Sequence, residues 1–215
     1  MTIALFDLDN TLIDRQQAVA IWARAFAADR GLDPAAEAHI GEALRERASP
    51  ETFTRLREEL TLAKPAAQLW ADYIQGIAAK VNARTEAIEG IQQLRASGWT
   101  VGILTNGAAD IQRAKLAAAG LTDAVDAIAI SEEIGSRKPD PAAFHTALAL
   151  CGSDRPAEAW MVGDNPEGDI GGAQQAGLRT IWLRGRPWPQ HLSPAHHSVD
   201  TITDAIQILM KEGVQ

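Results

Sequence analysis

Five short apolar runs punctuate the chain: Ile3–Leu8, Thr100–Leu104, Ala127–Ile130, Ala159–Val162 and Thr180–Leu183. Each is continuous rather than alternating, the pattern of a strand covered on both faces. Helical stretches separate the later runs. Ala108–Ala119 lies between the second and third, and Pro141–Leu150 between the third and fourth. Asp169–Ala176, closed by Gly177, lies between the fourth and fifth. Strand alternating with helix predicts an α/β fold on a doubly wound parallel sheet.

One connection breaks this rhythm. About 90 residues separate the first run from the second, whereas a parallel crossover needs only a dozen or so. Thr85–Ser97 supplies an ordinary crossover helix, with Ile88, Ile91 and Leu94 on one face and Gly98 after it. The rest carries helix punctuation and no strand pattern. Asp33-Pro34 and Ser49-Pro50 each set a capping residue before a proline at the first helical position. Val19, Trp22 and Phe26 form one apolar stripe, Phe53, Leu56 and Leu60 a second, and Leu69, Tyr73 and Ile77 a third. Residues 1–14 and 85–215 are therefore expected to make an α/β core, and residues 15–84 a small all-helical cap domain.

Composition narrows the function. The 215 residues are 46% hydrophobic and 22% charged, as in ordinary globular proteins. The single cysteine, Cys151, excludes an intrachain disulfide and suits a reducing cytoplasm. The first residues have no basic region, Asp7 interrupts the first apolar run, and no later run is long enough to span a bilayer; neither a signal peptide nor a membrane partner is expected. A net charge of −8, with Lys and Arg scattered, argues against nucleic acid as a partner. An acidic protein can still bind a phosphate by recruiting a divalent cation, so gathered carboxylates become the feature to seek.

In an open parallel sheet, ligands bind at the carboxyl ends of the strands. The first run ends in Asp7-Leu8-Asp9-Asn10-Thr11, and the second in Thr105-Asn106-Gly107. Arg137-Lys138-Pro139 follows the third, and Gly163-Asp164 with Asp169 follows the fourth. Alone, each has a plainer reading: Asp7 and Asp9 open a turn, Thr105-Asn106-Gly107 is a polar turn, Lys138 is a solvated lysine, and Asp164 and Asp169 shape a turn and cap a helix. Their order and their common placement after strands favour one site.

Asp-x-Asp-x-Thr, Thr-Asn-Gly, Lys-Pro and Gly-Asp-x-x-x-x-Asp, in this order, resemble the four motifs of the haloacid dehalogenase (HAD) superfamily. The resemblance is to the phosphatase branch with a helical cap inserted after the first strand, and it covers nearly the whole chain. Thr105–Gly120 and Met161–Leu183 are most similar to nucleotidase-like and N-acylneuraminate-9-phosphatase-like members. The resemblance implies a Rossmann-like core and a Mg²⁺-dependent phosphatase acting on a small phosphorylated metabolite, a nucleotide or sugar phosphate. It assigns Asp7 as nucleophile and Asp9 as general acid and base. It places Mg²⁺ on an Asp7 oxygen, the Asp9 carbonyl and Asp164, with Asp169 acting through a water. Thr105, Lys138 and the backbone near Asn106 and Gly107 would hold the phosphoryl oxygens. An Asp9 acting as acid should have a raised proton affinity. Dehalogenases need no such acid, so Asp9 favours phosphatase; a phosphomutase would share every motif, and a non-catalytic binding module would be expected to have lost some of them. A homodimer is compatible with all of this.

Other features read as structural. His196-His197 falls in an expected surface loop, Trp22 and Trp70 pack the cap, and Trp182 and Trp188 flank the last strand. Glu132-Glu133 reads as a solvated loop pair. Arg15, Arg24 and Arg55 can each be substrate contacts or surface ion pairs.

Overall fold

Continuous apolar runs need cover on both sides, and the fold provides it. In the computed structural model, which describes residues 2–213, the runs become β1 (Ile3–Phe6), β2 (Thr100–Thr105), β3 (Ala127–Ile130), β4 (Ala159–Gly163) and β5 (Arg179–Leu183). Residues 1, 214 and 215, at the ends of the expected core, lie outside the described residues. A sixth strand, β6 (His197–Val199), pairs parallel to β5, and the order is β3-β2-β1-β4-β5-β6 with every pair parallel. Alternate side chains go to opposite faces, as the period of a strand requires. Ile3, Leu5 and Met161 pack with Phe144 and Leu148 on one side. Ala4, Phe6, Val162 and Ile181 pack on the other with Leu94 and Leu209.

The covering helices follow in chain order. They are α5 (Thr85–Ala96), α6 (Ala109–Ala118), α7 (Ser131–Ile134), α8 (Pro141–Leu150), α9 (Gly172–Gln175) and α10 (Ile202–Glu212). Gly98 and Gly177 close helices in the left-handed region, at φ +85° and +84°. Three local expectations are revised. Glu132-Glu133 lies in the short α7 rather than a loop. The Asp169–Ala176 helix is split into a π-helical turn, Pro166–Gly171, followed by α9. His197 opens β6 rather than lying in a loop, while exposed His196 accepts the Thr180 N–H on Nδ1 at 3.2 Å.

Between β1 and α5 the chain forms α1 (Arg15–Asp29), α2 (Pro34–Ala43), α3 (Pro50–Glu59) and α4 (Ala66–Ala78), with no strand among the described residues. Asp33 and Ser49 cap α2 and α3 as expected, each side chain accepting a first-turn N–H before a proline. The segment leaves and rejoins the sheet at one place, where Ile13 bridges Ala83 and Arg84 N–H donates to the Leu12 carbonyl at 3.1 Å. The three apolar stripes meet in an aromatic cluster. Trp22 lies 4.7 Å from Phe26 and 4.9 Å from Tyr73 between ring centroids, and Phe53 lies 5.1 Å from Tyr73. These residues and the β1 face belong to one buried cluster. Cys151 is a buried free thiol that burial pushes up to about 11, so it is structural. No helix among the described residues is long and apolar enough to cross a membrane.

Phe53 is 1% exposed and touches three rings of this cluster. Phe53→Ala should remove both transfer energy and packing, lowering stability by about 3–5 kcal/mol. Urea unfolding followed by tryptophan fluorescence checks this; a loss below about 1 kcal/mol would mean that the cluster is loosely packed.

Candidate active site

The strand order reverses between β1 and β4, the crevice where open α/β sheets bind ligands. Asp7 stands one residue beyond β1, its N–H donating to the Val162 carbonyl of β4 at 2.9 Å. Asp164 stands one residue beyond β4. Asp169 comes from the π-helical turn, which Asn165 opens by accepting the Glu167 and Gly168 N–H groups. One carboxylate oxygen each from Asp7, Asp164 and Asp169 lie within 4.8 Å of one another, and all three residues are buried. Gly163 makes this approach feasible: a Cβ there would sit 2.2 Å from Asp169 Oδ2.

Lys138 offsets part of the cluster's charge. Its Nζ donates to Asp7 Oδ1 at 2.6 Å, Asp169 Oδ1 at 2.7 Å and the Leu104 carbonyl at 2.8 Å. Asn106 fixes the backbone of Lys138, its Nδ2 donating to the Lys138 carbonyl at 2.8 Å and its Oδ1 accepting the Lys138 N–H at 3.0 Å. Burial dominates the electrostatics. It pushes the Asp7 carboxyl up to about 7, with Asp169 and Asp9 adding to the rise and Lys138 opposing it. Burial and the neighbouring Asp7 push Asp164 up to about 6, against the pull of Arg186. Asp169 is raised by burial as well. Lys138 itself is raised: burial disfavours its charge, but Asp169 and Asp7 outweigh that.

Asp9 behaves otherwise. Burial alone would raise it, yet the Lys115 and Arg15 charges hold it below the usual carboxylate range. Lys115 Nζ lies 2.6 Å from each Asp9 oxygen, and Arg15 Nε lies 3.7 Å away. The expected rise in proton affinity is therefore reversed in this structure, because a buried lysine faces the carboxylate. Gln112, one turn before Lys115 on α6, donates to Thr105 Oγ1 at 2.5 Å. The Gly107 N–H, expected to face a phosphate, donates instead to Ser131 Oγ at 3.0 Å.

A cavity of about 240 Å³ opens over these groups. Asp7, Asp9, Thr105, Asn106, Lys138, Asp164 and Asp169 all line it, whereas Gly107 lines a smaller cavity beside it. Of the three arginines, only Arg15 reaches the cavity; Arg24 and Arg55 face Glu37 and Glu59 at 3.5 and 3.9 Å. Arg186, which the sequence reading did not single out, donates to Asp164 Oδ2 at 3.0 Å and to Glu46 Oε2 at 2.9 Å. Lys115 and Gln112 were also missed. Their signal was a lysine and a glutamine sharing the buried face of α6 with Ile111 and Leu116.

Comparison with known proteins matches the description of a haloacid dehalogenase-like hydrolase over residues 1–177. Phosphoserine phosphatase of Thermus thermophilus is 45% identical over 51% of this chain and 44% of its own length. Pyrimidine 5'-nucleotidase YjjG of Escherichia coli is 38% identical over 52% of this chain and 50% of its own. The chain thus aligns with about half the length of these two relatives. Ribulose-1,5-bisphosphate 5-phosphatase of Halopiger xanaduensis is 33% identical over 93% of this chain and 90% of its own length. Among solved structures, the magnesium-bound HAD-hydrolase YfnB of Bacillus subtilis superposes with a TM-score of 0.78 at 22% identity, over 97% of this chain and 98% of that one. L-2-haloacid dehalogenase of Xanthobacter autotrophicus has the same fold, with a TM-score of 0.79 at 20% identity over 98% of each chain. With its six-stranded parallel sheet and its helical segment between β1 and β2, the chain belongs to the haloacid dehalogenase-like hydrolases.

Proposed function

We propose that the protein is a Mg²⁺-dependent phosphatase that hydrolyses a small phosphorylated metabolite, a nucleotide or sugar phosphate, through an aspartyl-phosphate on Asp7. The observation that carries this reading is the cluster of Asp7, Asp164 and Asp169 on Lys138, with Asp9 two residues beyond the nucleophile. Residues 15–84 act as a cap over a core of residues 1–14 and 85–215, and the double crossing at Ile13 and Ala83 is the natural boundary. The reducing cytoplasm is the compartment that suits the lone buried thiol.

The donor set fits magnesium. It is all oxygen, and the crowding that raises Asp7 and Asp164 is a deficit of positive charge that a divalent cation removes. Asp7 and Asp164 would hold the ion with the Asp9 carbonyl. Asp169 would act through water, since one of its oxygens accepts from Lys138 and the other from the Asn165 N–H at 3.0 Å. When bound, the ion would offset the negative charge of the nucleophile and the phosphoryl group.

Asp7 attacks phosphorus as the bond to the ester oxygen breaks, and Asp9 gives that oxygen its proton. Asp9 then takes a proton from the water that cleaves the aspartyl-phosphate, which restores Asp7 and releases phosphate. The second step suits an Asp9 that Lys115 and Arg15 hold below the usual carboxylate range; the first requires the Lys115 pair to loosen as the leaving group binds. Thr105 and Asn106 bind phosphoryl oxygens, and Lys138 keeps Asp7 aimed. A dehalogenase would have no use for the proton on Asp9, and a mutase would return the phosphoryl group to its substrate.

Phosphate release from an aryl phosphate and a panel of nucleotide and sugar monophosphates should require Mg²⁺ and be abolished by chelator. Asp7→Asn should reduce it at least about 1,000-fold. If the folded, Mg²⁺-supplied protein released no phosphate from any compound, the phosphatase reading would be lost.

The raised carboxyls also set a pH dependence. An acid with a higher pKa folded than unfolded stabilises the fold fully below its unfolded value, and loses that contribution as pH rises through the folded one. For Asp7 and Asp164 the window runs from 3.8 up to about 7 and about 6. The chelated protein should therefore lose stability across this range, and Mg²⁺ should raise Tm more near pH 8 than near pH 5. Asp164→Asn should flatten both effects. An equal Mg²⁺ shift at the two pH values would contradict a cation site on these carboxylates.

A further inference from the structure

The larger cavity meets a second one beside Asp9. This second space, about 30 Å³, lies between residues 46–48 of the helical segment and the first turns of α6. Asp9, Arg15, Glu46, Arg47 and Asn106 line both. If the phosphoryl group sits on Asp7 and Asp9 protonates the leaving oxygen, the alcohol of the substrate lies at this junction. Its shape and charge therefore report what the alcohol is.

Of the nucleotide and sugar phosphates proposed above, the junction disfavours the first, because it is a poor seat for a nucleobase. No aromatic ring lines either cavity among the described residues, and Ala48 and Ile111 are the only apolar side chains in their walls. The rings of the helical segment pack instead on one another. A base would find no ring on which to stack. The larger cavity, at about 240 Å³, also falls below the roughly 300–1,000 Å³ of pockets that enclose drug-sized ligands.

The charge balance is more specific. Six cationic and five anionic side chains line the two cavities together. A divalent cation on the aspartates brings the net to three positive charges, and a phosphate dianion leaves one over. The pairs identify where that charge stands. Lys138 is taken by Asp7 and Asp169, Lys115 and Arg15 by Asp9, and Arg186 by Asp164 and Glu46. Glu46 thus shares one guanidinium with Asp164. Arg47 and Arg137 make no close side-chain hydrogen bond or ion pair among the described residues; the Arg47 charge acts on Glu51, in the first turn of α3 and outside both cavities. Arg137 stands beside Lys138 on the phosphoryl side and lines only the larger cavity, whereas Arg47 stands with Asp9 at the junction.

Resting on the phosphatase reading, we propose that the substrate is a small aliphatic phosphate ester whose alcohol carries a second anionic group, a carboxylate or another phosphate, and that Arg47 is the specificity-determining residue that binds it. A guanidinium held at the leaving-group side gives the second anion a charge-assisted, two-point contact. The same contact would draw the alcohol toward Asp9, which favours turnover as well as binding.

The test compares phosphoglycolate, glycerol phosphate, phosphoethanolamine and uridine monophosphate with the full chain in Mg²⁺. Phosphoglycolate should exceed glycerol phosphate and uridine monophosphate in kcat/KM by about 10- to 100-fold, the worth of one charged hydrogen bond. Arg47→Ala should collapse the phosphoglycolate-to-glycerol phosphate ratio by about 10-fold or more, and Arg47→Glu should shift preference toward phosphoethanolamine. Calorimetric titration of phosphoglycolate into the Asp7→Asn protein, with and without Arg47→Ala, reads the same contact without turnover and should show weaker binding by a similar factor. Uridine monophosphate turned over as well as phosphoglycolate, or a ratio unmoved in a folded Arg47 variant, overturns the substrate class and leaves the phosphatase reading standing. If no ester is hydrolysed, the phosphatase reading fails, and the calorimetric comparison alone decides whether Arg47 binds an anion there.

Discussion

Three buried carboxylates held within 4.8 Å of one another would drive a fold apart if they were ionised and unpaired. The amine of Lys138, 2.6 Å from Asp7 and 2.7 Å from Asp169, is the contact that makes the arrangement tolerable. Much else in the core serves to place that amine. Asn106, at the end of β2, grips the Lys138 backbone through both its amide atoms, and the Leu104 carbonyl takes a further donor of the amine. The neutralisation is incomplete, since Asp7 and Asp164 remain raised to about 7 and about 6. The site thus carries an excess of negative charge, which protons offset at low pH and which the proposed cation would offset at higher pH.

The sheet was legible because its signal is strong and local. Continuous apolar runs mark strands with two buried faces, and all five formed with ends within two residues of those expected. β6 was not legible: His197-Ser198-Val199 has one buried residue and gains strand geometry only by pairing with β5. The same difference separates the parts of the site. Asp7, Asp9, Thr105, Asn106 and Asp164 stand at or just beyond strand ends, with Lys138 and Asp169 in the connections that follow, and all of them line the cavity. Arg186 reaches it from a loop beyond β5, and Lys115 reaches Asp9 from a helix face, lining only the smaller cavity. Their role depends on how the helix and loop pack, which no short motif encodes.

Lys115 also changes how Asp9 must be understood. A carboxylate that donates a proton is expected to be raised, and burial alone would raise this one. The facing lysine reverses the outcome, so the ionised state is the resting state of Asp9. Lys115 is itself pulled down by burial, more than Asp9 restores, so the cost of the buried pair falls on the lysine and not on the carboxylate. Arg15, at 3.7 Å, adds a second cation beside the same carboxylate. In the proposed reaction, the leaving oxygen would have to draw Asp9 away from both.

The helical segment is tied to both halves of this chemistry. Arg15, whose Nε faces Asp9, donates from its other nitrogens to the Leu44 and Arg45 carbonyls at the end of α2. The next residue, Glu46, accepts from Arg186, and Arg186 in turn donates to Asp164. A short stretch of the helical segment is therefore linked through two guanidiniums to Asp9 on one side and to the carboxylate cluster on the other. Neither link can move without altering the field at a carboxylate. Because the same stretch continues into Arg47 at the cavity junction, a ligand that drew Arg47 inward would pull on residues already joined to both groups. Under the proposed function, recognition of the alcohol and alignment of the carboxylates would therefore share one loop.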